Sequence, residues 1–257
     1  MARIKKEKIG FVLLGSTAVI AMSVILTQVP VAQDVKYHDF IDARRIWSIS
    51  NFWNVVSNVL FIFVGMLGLY KLSISNKLNT ISEINIAYTL LYFGVFLVGI
   101  GSVYYHLTPE NQTLVWDRLP MTVAFMALLS IIVSEFISIH YGKMLLLPLI
   151  LSGILSVVYW HFTEVQGEGD LRFYALVQYY PMLAIPVILV CFQSRCTHVY
   201  AYWWALAAYL VAKVFEHFDA EIYNALGFIS GHALKHITAA VAMYILLIFY
   251  EKRNCNN

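Results

Sequence analysis

Leu90-Leu91-Tyr92-Phe93-Gly94-Val95-Phe96-Leu97-Val98-Gly99-Ile100-Gly101-Ser102-Val103-Tyr104-Tyr105-His106 is the stretch that decides the fold. Long enough to cross hydrocarbon as a helix, it nevertheless ends on a serine and a histidine, residues that hydrocarbon disfavours. Similar apolar runs, each near the ~20 residues that span a bilayer core, recur along almost all of the 257-residue chain. Hydrophobic residues make up 60% and charged residues only 12%, whereas soluble domains are about half apolar. The composition therefore excludes a soluble globular protein. A net charge of +2, scattered rather than clustered, gives no basic face for nucleic acid.

Read in order, the apolar runs predict helices over 9–29, 52–72, 84–107, 119–140, 143–162, 172–192, 199–218 and 231–250. This describes an all-α polytopic membrane protein, a seven-helix core bundle plus an extra N-terminal transmembrane helix. The first run follows the basic start Arg3, Lys5, Lys6 and Lys8. It exceeds the ~7–15 residues of a signal-peptide core, and Pro30 sits where a small residue should precede a cut after Ala32. We read residues 1–30 as an uncleaved anchor, 31–250 as the seven-helix membrane domain and 251–257 as a cytoplasmic tail.

Lys and Arg are retained on the cytoplasmic side. With the N-terminus inside, ten of them fall in cytoplasmic segments and five in outer ones, with Lys213 and Lys235 left inside helices. Cys191, Cys196 and Cys255 then lie near the reducing face, so no disulfide is expected.

The same topology carries His106, Asp117, His232 and His236 to one outer face, although they are far apart in sequence. His232 and His236 stand four apart, one helical turn on one face. With His106 they offer three neutral ligands, which leaves a tetrahedral zinc one open position for water, the usual layout of a catalytic site. Ser102, four residues before His106, shares its helical face. Its hydroxyl either assists a carbonyl oxygen near the metal or simply bonds back to its own helix. Asp117 precedes Leu119-Pro120 and is either a carboxylate at a helix start or a base for metal-assisted hydrolysis; spacing does not separate these. His38, His140 and His198 read as interfacial. His161 and His217 read as wet interfacial residues or, alternatively, as lining an entrance near Glu164, Glu216 and Asp219. Lys213 and Glu216, three apart, read as a structural ion pair shielded from lipid.

Four segments together resemble the alkaline ceramidase family, within the wider group of seven-helix membrane hydrolases that includes the adiponectin receptors. They are Asn51-Phe52-Trp53-Asn54-Val55-Val56-Ser57-Asn58, Gly99 to His106, Asp117 with Leu119-Pro120-Met121, and Ser230-Gly231-His232-Ala233-Leu234-Lys235-His236. They fall in family order across about residues 37–250. Tyr37 to Arg45 looks like the bacterial branch, which implies a bacterial inner membrane with the site toward the periplasmic face. The resemblance implies zinc on His106, His232 and His236, a catalytic water held by Asp117, and Ser102 assisting at the carbonyl. The implied reaction is amide hydrolysis of a ceramide-like lipid to a fatty acid and a long-chain amino alcohol. Calcium sites collect several oxygen ligands. Here Asn51 stands where eukaryotic members have a glutamate, and Asp39 and Asp42 lie beside Arg44 and Arg45, which counts against calcium. The rival readings are a hydrolase of another lipid amide or ester, a zinc-containing lipid receptor, and a transporter, although no internal repeat is evident. The partner in every case but the last is a lipid with long acyl chains; oligomeric state is not legible.

Overall fold

The computed structural model describes residues 2–255, in which every long element is a helix. Met1, at the start of the expected anchor, and residues 256–257 of the expected tail lie outside the described residues. The order is α1 (Ala2–Thr27), a short 3-10 turn (Val35–His38), α2 (Phe52–Val56), α3 (Val59–Ser73), α4 (Asn85–Leu107), α5 (Asn111–Phe136), α6 (Ile139–Val165), α7 (Arg172–Cys191), α8 (Tyr200–His217), α9 (Asp219–Leu226) and α10 (Gly231–Lys252). Seven spans among the described residues are long and apolar enough to cross a membrane: α1, α2 with α3, α4, α5, α6, α7 and α10. The expected span at 199–218 forms as α8 but is less apolar, because it carries Tyr200, Tyr202, Trp203, Trp204, Lys213 and Glu216. It packs along α10 and completes a seven-helix bundle next to α1.

Burial separates the helices by role. Only 6% of the apolar window of α1 is buried, and Phe11, Val12 and Val19 are more than half exposed. Apolar exposure over that length is a lipid-facing surface. Its contact with the bundle runs along α7, where Phe11 meets the Phe192 ring at 4.9 Å and the Tyr180 hydroxyl donates to the Leu14 carbonyl. By contrast, 72% of the α5 window is buried, making α5 the central post. Small residues let membrane helices approach closely. At Gly101 a Cβ would stand 1.9 Å from the Trp116 carbonyl oxygen, so α4 and α5 touch backbone to backbone beside Ser102 and Asp117. Gly101→Ala should therefore destabilise by about 3 kcal/mol or more, the upper end of overpacking costs, seen as a lowered melting temperature in detergent.

Two expectations need correction. The fourth predicted helix starts at Asn111 rather than near 119, because Glu110 and Thr113 form a reciprocal capping box, with the Glu110 N–H donating to the Thr113 hydroxyl at 3.2 Å. Asp117 is thus well inside α5, and the reading of it as a helix-start carboxylate fails; Pro120 is an interior proline. The second correction concerns the cysteines. Cys196, after α7, is bonded to Cys255, after α10, while Cys191 is a buried free thiol. The two segments run antiparallel, the Thr197 N–H donating to Asn254 O and the Asn254 N–H to the Thr197 hydroxyl, each at 2.9 Å. That pairing brings together sulfurs 59 residues apart, a juxtaposition that spacing could not reveal.

The bundle end beneath this staple, opposite the histidines, is closed by a buried ion pair. Glu135 and Arg253, 1% and 2% exposed, meet at 2.6 Å. The Tyr202 and Ser194 hydroxyls also donate to Glu135, each at 2.7 Å, and Arg253 donates to the Tyr88 hydroxyl and the Asn79 carbonyl. A buried pair survives only with such extra hydrogen bonds.

Candidate metal centre

His106 lies in the last turn of α4, and His232 and His236 lie in the first two turns of α10. The start of α10 is held firmly. Ser230 caps it by accepting the Ala233 N–H, and Asp219 accepts the His232 N–H at 2.6 Å, an acid placed where a helix N-terminus favours one. Gly231 is required there: a Cβ would stand 2.1 Å from the Phe215 carbonyl oxygen, so the end of α8 rests directly on the start of α10.

The three imidazoles form a nearly equilateral triangle, with ring centroids 5.0 Å apart for His106 and His232, 4.9 Å for His106 and His236, and 4.9 Å for His232 and His236. All three are buried, and one nitrogen from each lies within 4.8 Å of the others. Buried polar atoms are almost always hydrogen-bonded, yet both ring nitrogens of His106 and Nε2 of His232 have no partner in the protein. His236 is partnered on one side only: Nδ1 lies 2.9 Å from Ser57 Oγ, which donates onward to the Asn54 carbonyl. With Nδ1–H donating to Ser57, Nε2 is left bare to ligate, the outer-shell arrangement that fixes a metal-binding histidine. Phe40 covers the group, its ring 4.7 Å from both His106 and His232. Burial, orphaned nitrogens and an all-imidazole donor set fit a divalent ion of the zinc type. Ser57→Ala should weaken metal binding about 10- to 100-fold without unfolding the bundle, which a competition titration against a chelating dye would read.

A cavity of about 500 Å³ opens beside this triangle, and His236, Ser102 and Asp117 line one end of it. It continues past Met121, Phe125 and Leu128 to Ile132, lined mostly by apolar side chains. From Asp117 to Ile132 the rise of α5 is about 22 Å, roughly three-quarters of a ~30 Å hydrocarbon core. Ser102 is fully buried and lines the cavity together with Asp117.

The remaining candidates separate as follows. His38 is half-buried, and its ring nitrogens bond the Tyr105 hydroxyl and Asn111 Oδ1, each at 2.9 Å, tying the segment that carries Phe40 to α4 and α5. Neither His161 nor His217 lines the cavity, and His217 is exposed. Lys213 and Glu216 do pair, but Lys235 joins them at 2.7 Å and all three face the cavity, so the group is shielded by protein rather than from lipid. Asp42, 1% exposed, is taken by Arg44 in a two-point pair at 2.7 Å. Ser57, Phe40 and Arg118 are residues that spacing did not single out. The run Asn51 to Asn58 was the one available signal for Ser57.

A family model described as Ceramidase matches residues 45–257. The chain belongs to the ceramidase family. The match takes in every long helix except α1, which is also the helix that stands outside the bundle. No curated protein matches the chain. Membership in the ceramidase family implies an amidohydrolase of the membrane whose substrate is a lipid, and the buried histidine triangle could hold its metal ion.

Proposed function

We propose that this ceramidase-family protein is a zinc-dependent hydrolase that cleaves the amide bond of ceramide-like N-acyl lipids, releasing a fatty acid and a long-chain amino alcohol. One observation carries the reading: three buried imidazoles with orphaned nitrogens stand at the end of a long apolar cavity that also holds a carboxylate and a hydroxyl. His106, His232 and His236 would hold the zinc, which when bound polarises a carbonyl and makes water acidic enough to attack near neutral pH. Three protein ligands suit catalysis better than a structural site, which uses four.

The residues around it divide the remaining work. Asp117 takes the proton of the attacking water and returns it to the leaving nitrogen. Ser102 donates its hydroxyl to the oxygen that gains charge as the amide carbon becomes tetrahedral. The apolar cavity accepts the acyl chain and excludes bulk water, and Phe40 covers the histidines. Mass spectrometry of lipids incubated with the purified protein tests this directly: release of fatty acid from an N-acyl lipid is the expected result, and intact lipid across a panel of amides and esters, with zinc bound, would favour a lipid receptor.

Residues 1–30 are read as an uncleaved anchor, and the Lys and Arg bias puts the histidine end outside. The Cys196–Cys255 disulfide would then sit on the reducing side, where such bonds do not persist, so the bond and the charge bias point to opposite orientations. Alkylation before lysis followed by intact-mass measurement decides between them; a disulfide recovered under those conditions reverses the orientation.

A further inference from the structure

A buried cation faces the cavity and enters no ion pair among the described residues. Arg118, the residue after Asp117 on α5, is 6% exposed and lines the same cavity. Its Nη2 donates to Gln33 Oε1 at 2.5 Å, and its guanidinium lies over three rings, Trp160 at 4.4 Å, Tyr174 at 4.7 Å and Tyr37 at 5.6 Å. Nη1 has no partner at all. The neighbouring Glu164 accepts from the Trp160 indole, the Gln33 N–H and the Asn111 amide, and Asp117, on the same cavity wall, forms no ion pair with Arg118. Nor do the other charges compensate, since Lys213 and Lys235 share the one carboxylate of Glu216. The cavity wall thus holds three cations against two carboxylates.

Aromatic faces steady a guanidinium but do not neutralise it. A buried charge without a counter-charge is expensive, and the planar fork of arginine matches a carboxylate or a phosphate at two points. Position says which part of a ligand would supply that anion. The apolar length of the cavity runs from Met121 to Ile132, whereas Arg118, Tyr37 and Leu171 stand at the end occupied by His236, Ser102 and Asp117. With the amide at the histidines and the acyl chain along α5, the amine half of the substrate falls beside Arg118.

We propose that Arg118 binds an anionic group, a carboxylate or a phosphate, carried on the amine half of the N-acyl lipid, so that the protein selects acidic lipid amides over neutral ones. This rests on the amide-hydrolase reading of the histidine site. The test compares three lipids with one acyl chain, a neutral ceramide, a ceramide 1-phosphate and an N-acyl amino acid, on the full-length protein. The expected result is a kcat/KM for at least one acidic lipid about tenfold or more above the neutral one; which acidic lipid leads tells phosphate from carboxylate. Arg118→Gln should lower the acidic-to-neutral ratio about 10- to 100-fold, the range for losing a charged hydrogen bond, and Arg118→Lys should keep part of it. Equal or better turnover of the neutral lipid by the unaltered protein overturns the proposal, as does an equal fall for all three lipids in Arg118→Gln. Should Arg118→Gln not fold, the preference of the unaltered protein and of Arg118→Lys still decides. Should no lipid be cleaved, the hydrolase reading fails separately. The Arg118 assignment is then read by native mass spectrometry: acidic lipid retained over neutral by the unaltered protein supports it, and no discrimination refutes it.

Discussion

His232→Ala should release the metal and lower amide turnover by at least about 10³-fold, because the several kcal/mol that a Lewis acid contributes to the transition state are lost with it. The same change should cost the metal-free protein little. In that state Nε2 of His232 is buried without a partner, a burden that alanine removes. Metal binding to the folded state alone adds stability by mass action, so a chelator should lower the melting temperature of the unaltered protein and leave that of His232→Ala nearly unmoved. Metal analysis and melting curves with and without chelator check both halves. Equal chelator sensitivity in the two proteins would mean that the ion sits elsewhere.

Asp117→Asn should give the complementary result, full metal content with turnover reduced about 10²- to 10⁴-fold, the range for removing a general acid and base. Asparagine keeps the shape, so the helix contact at Gly101 is undisturbed, but it cannot take a proton from water. Metal content measured alongside initial rates separates the roles: loss of metal in Asp117→Asn would make Asp117 a ligand, whereas retained metal with normal turnover would leave the carboxylate without a catalytic part.

Much of the architecture is legible in the chain because a membrane imposes length and apolarity on every crossing helix, and both can be read residue by residue. The weakest bearer of that signal is α8, legible as the run 199–218 although tyrosine, tryptophan, Lys213 and Glu216 dilute its apolar pattern. Tyr202, Tyr209, Lys213 and Glu216 line the cavity, where protein takes the place of lipid around them, whereas Tyr200, Trp203 and Trp204 are exposed. The start of α5, by contrast, was misplaced. Pro120 looks like a first-turn proline, but the reciprocal cap of Glu110 and Thr113 outweighs it, and the proline is carried inside the helix.

At the site, the three histidines were legible through one spacing of four and a shared depth, and their closeness in space follows from the ends of α4 and α10 meeting. What supports them was not. Ser57 reaches His236 only because α2 stops at Val56 and the chain turns there, and Phe40 reaches two histidines from a loop with no periodic pattern. Arg118 reads as one more outer-loop cation until α5 is seen to begin earlier and to carry it inward. The Cys196–Cys255 staple and the Glu135–Arg253 pair join residues 59 and 118 positions apart, and nothing local in either partner announces the other.

The most direct test is to strip the purified protein with a chelator, add zinc back in measured steps, and follow fatty acid release from an N-acyl lipid. Turnover absent in the stripped protein and restored to a plateau at one zinc per chain is the predicted result. Turnover that survives stripping, or a zinc that returns without restoring it, would contradict a hydrolytic metal on His106, His232 and His236.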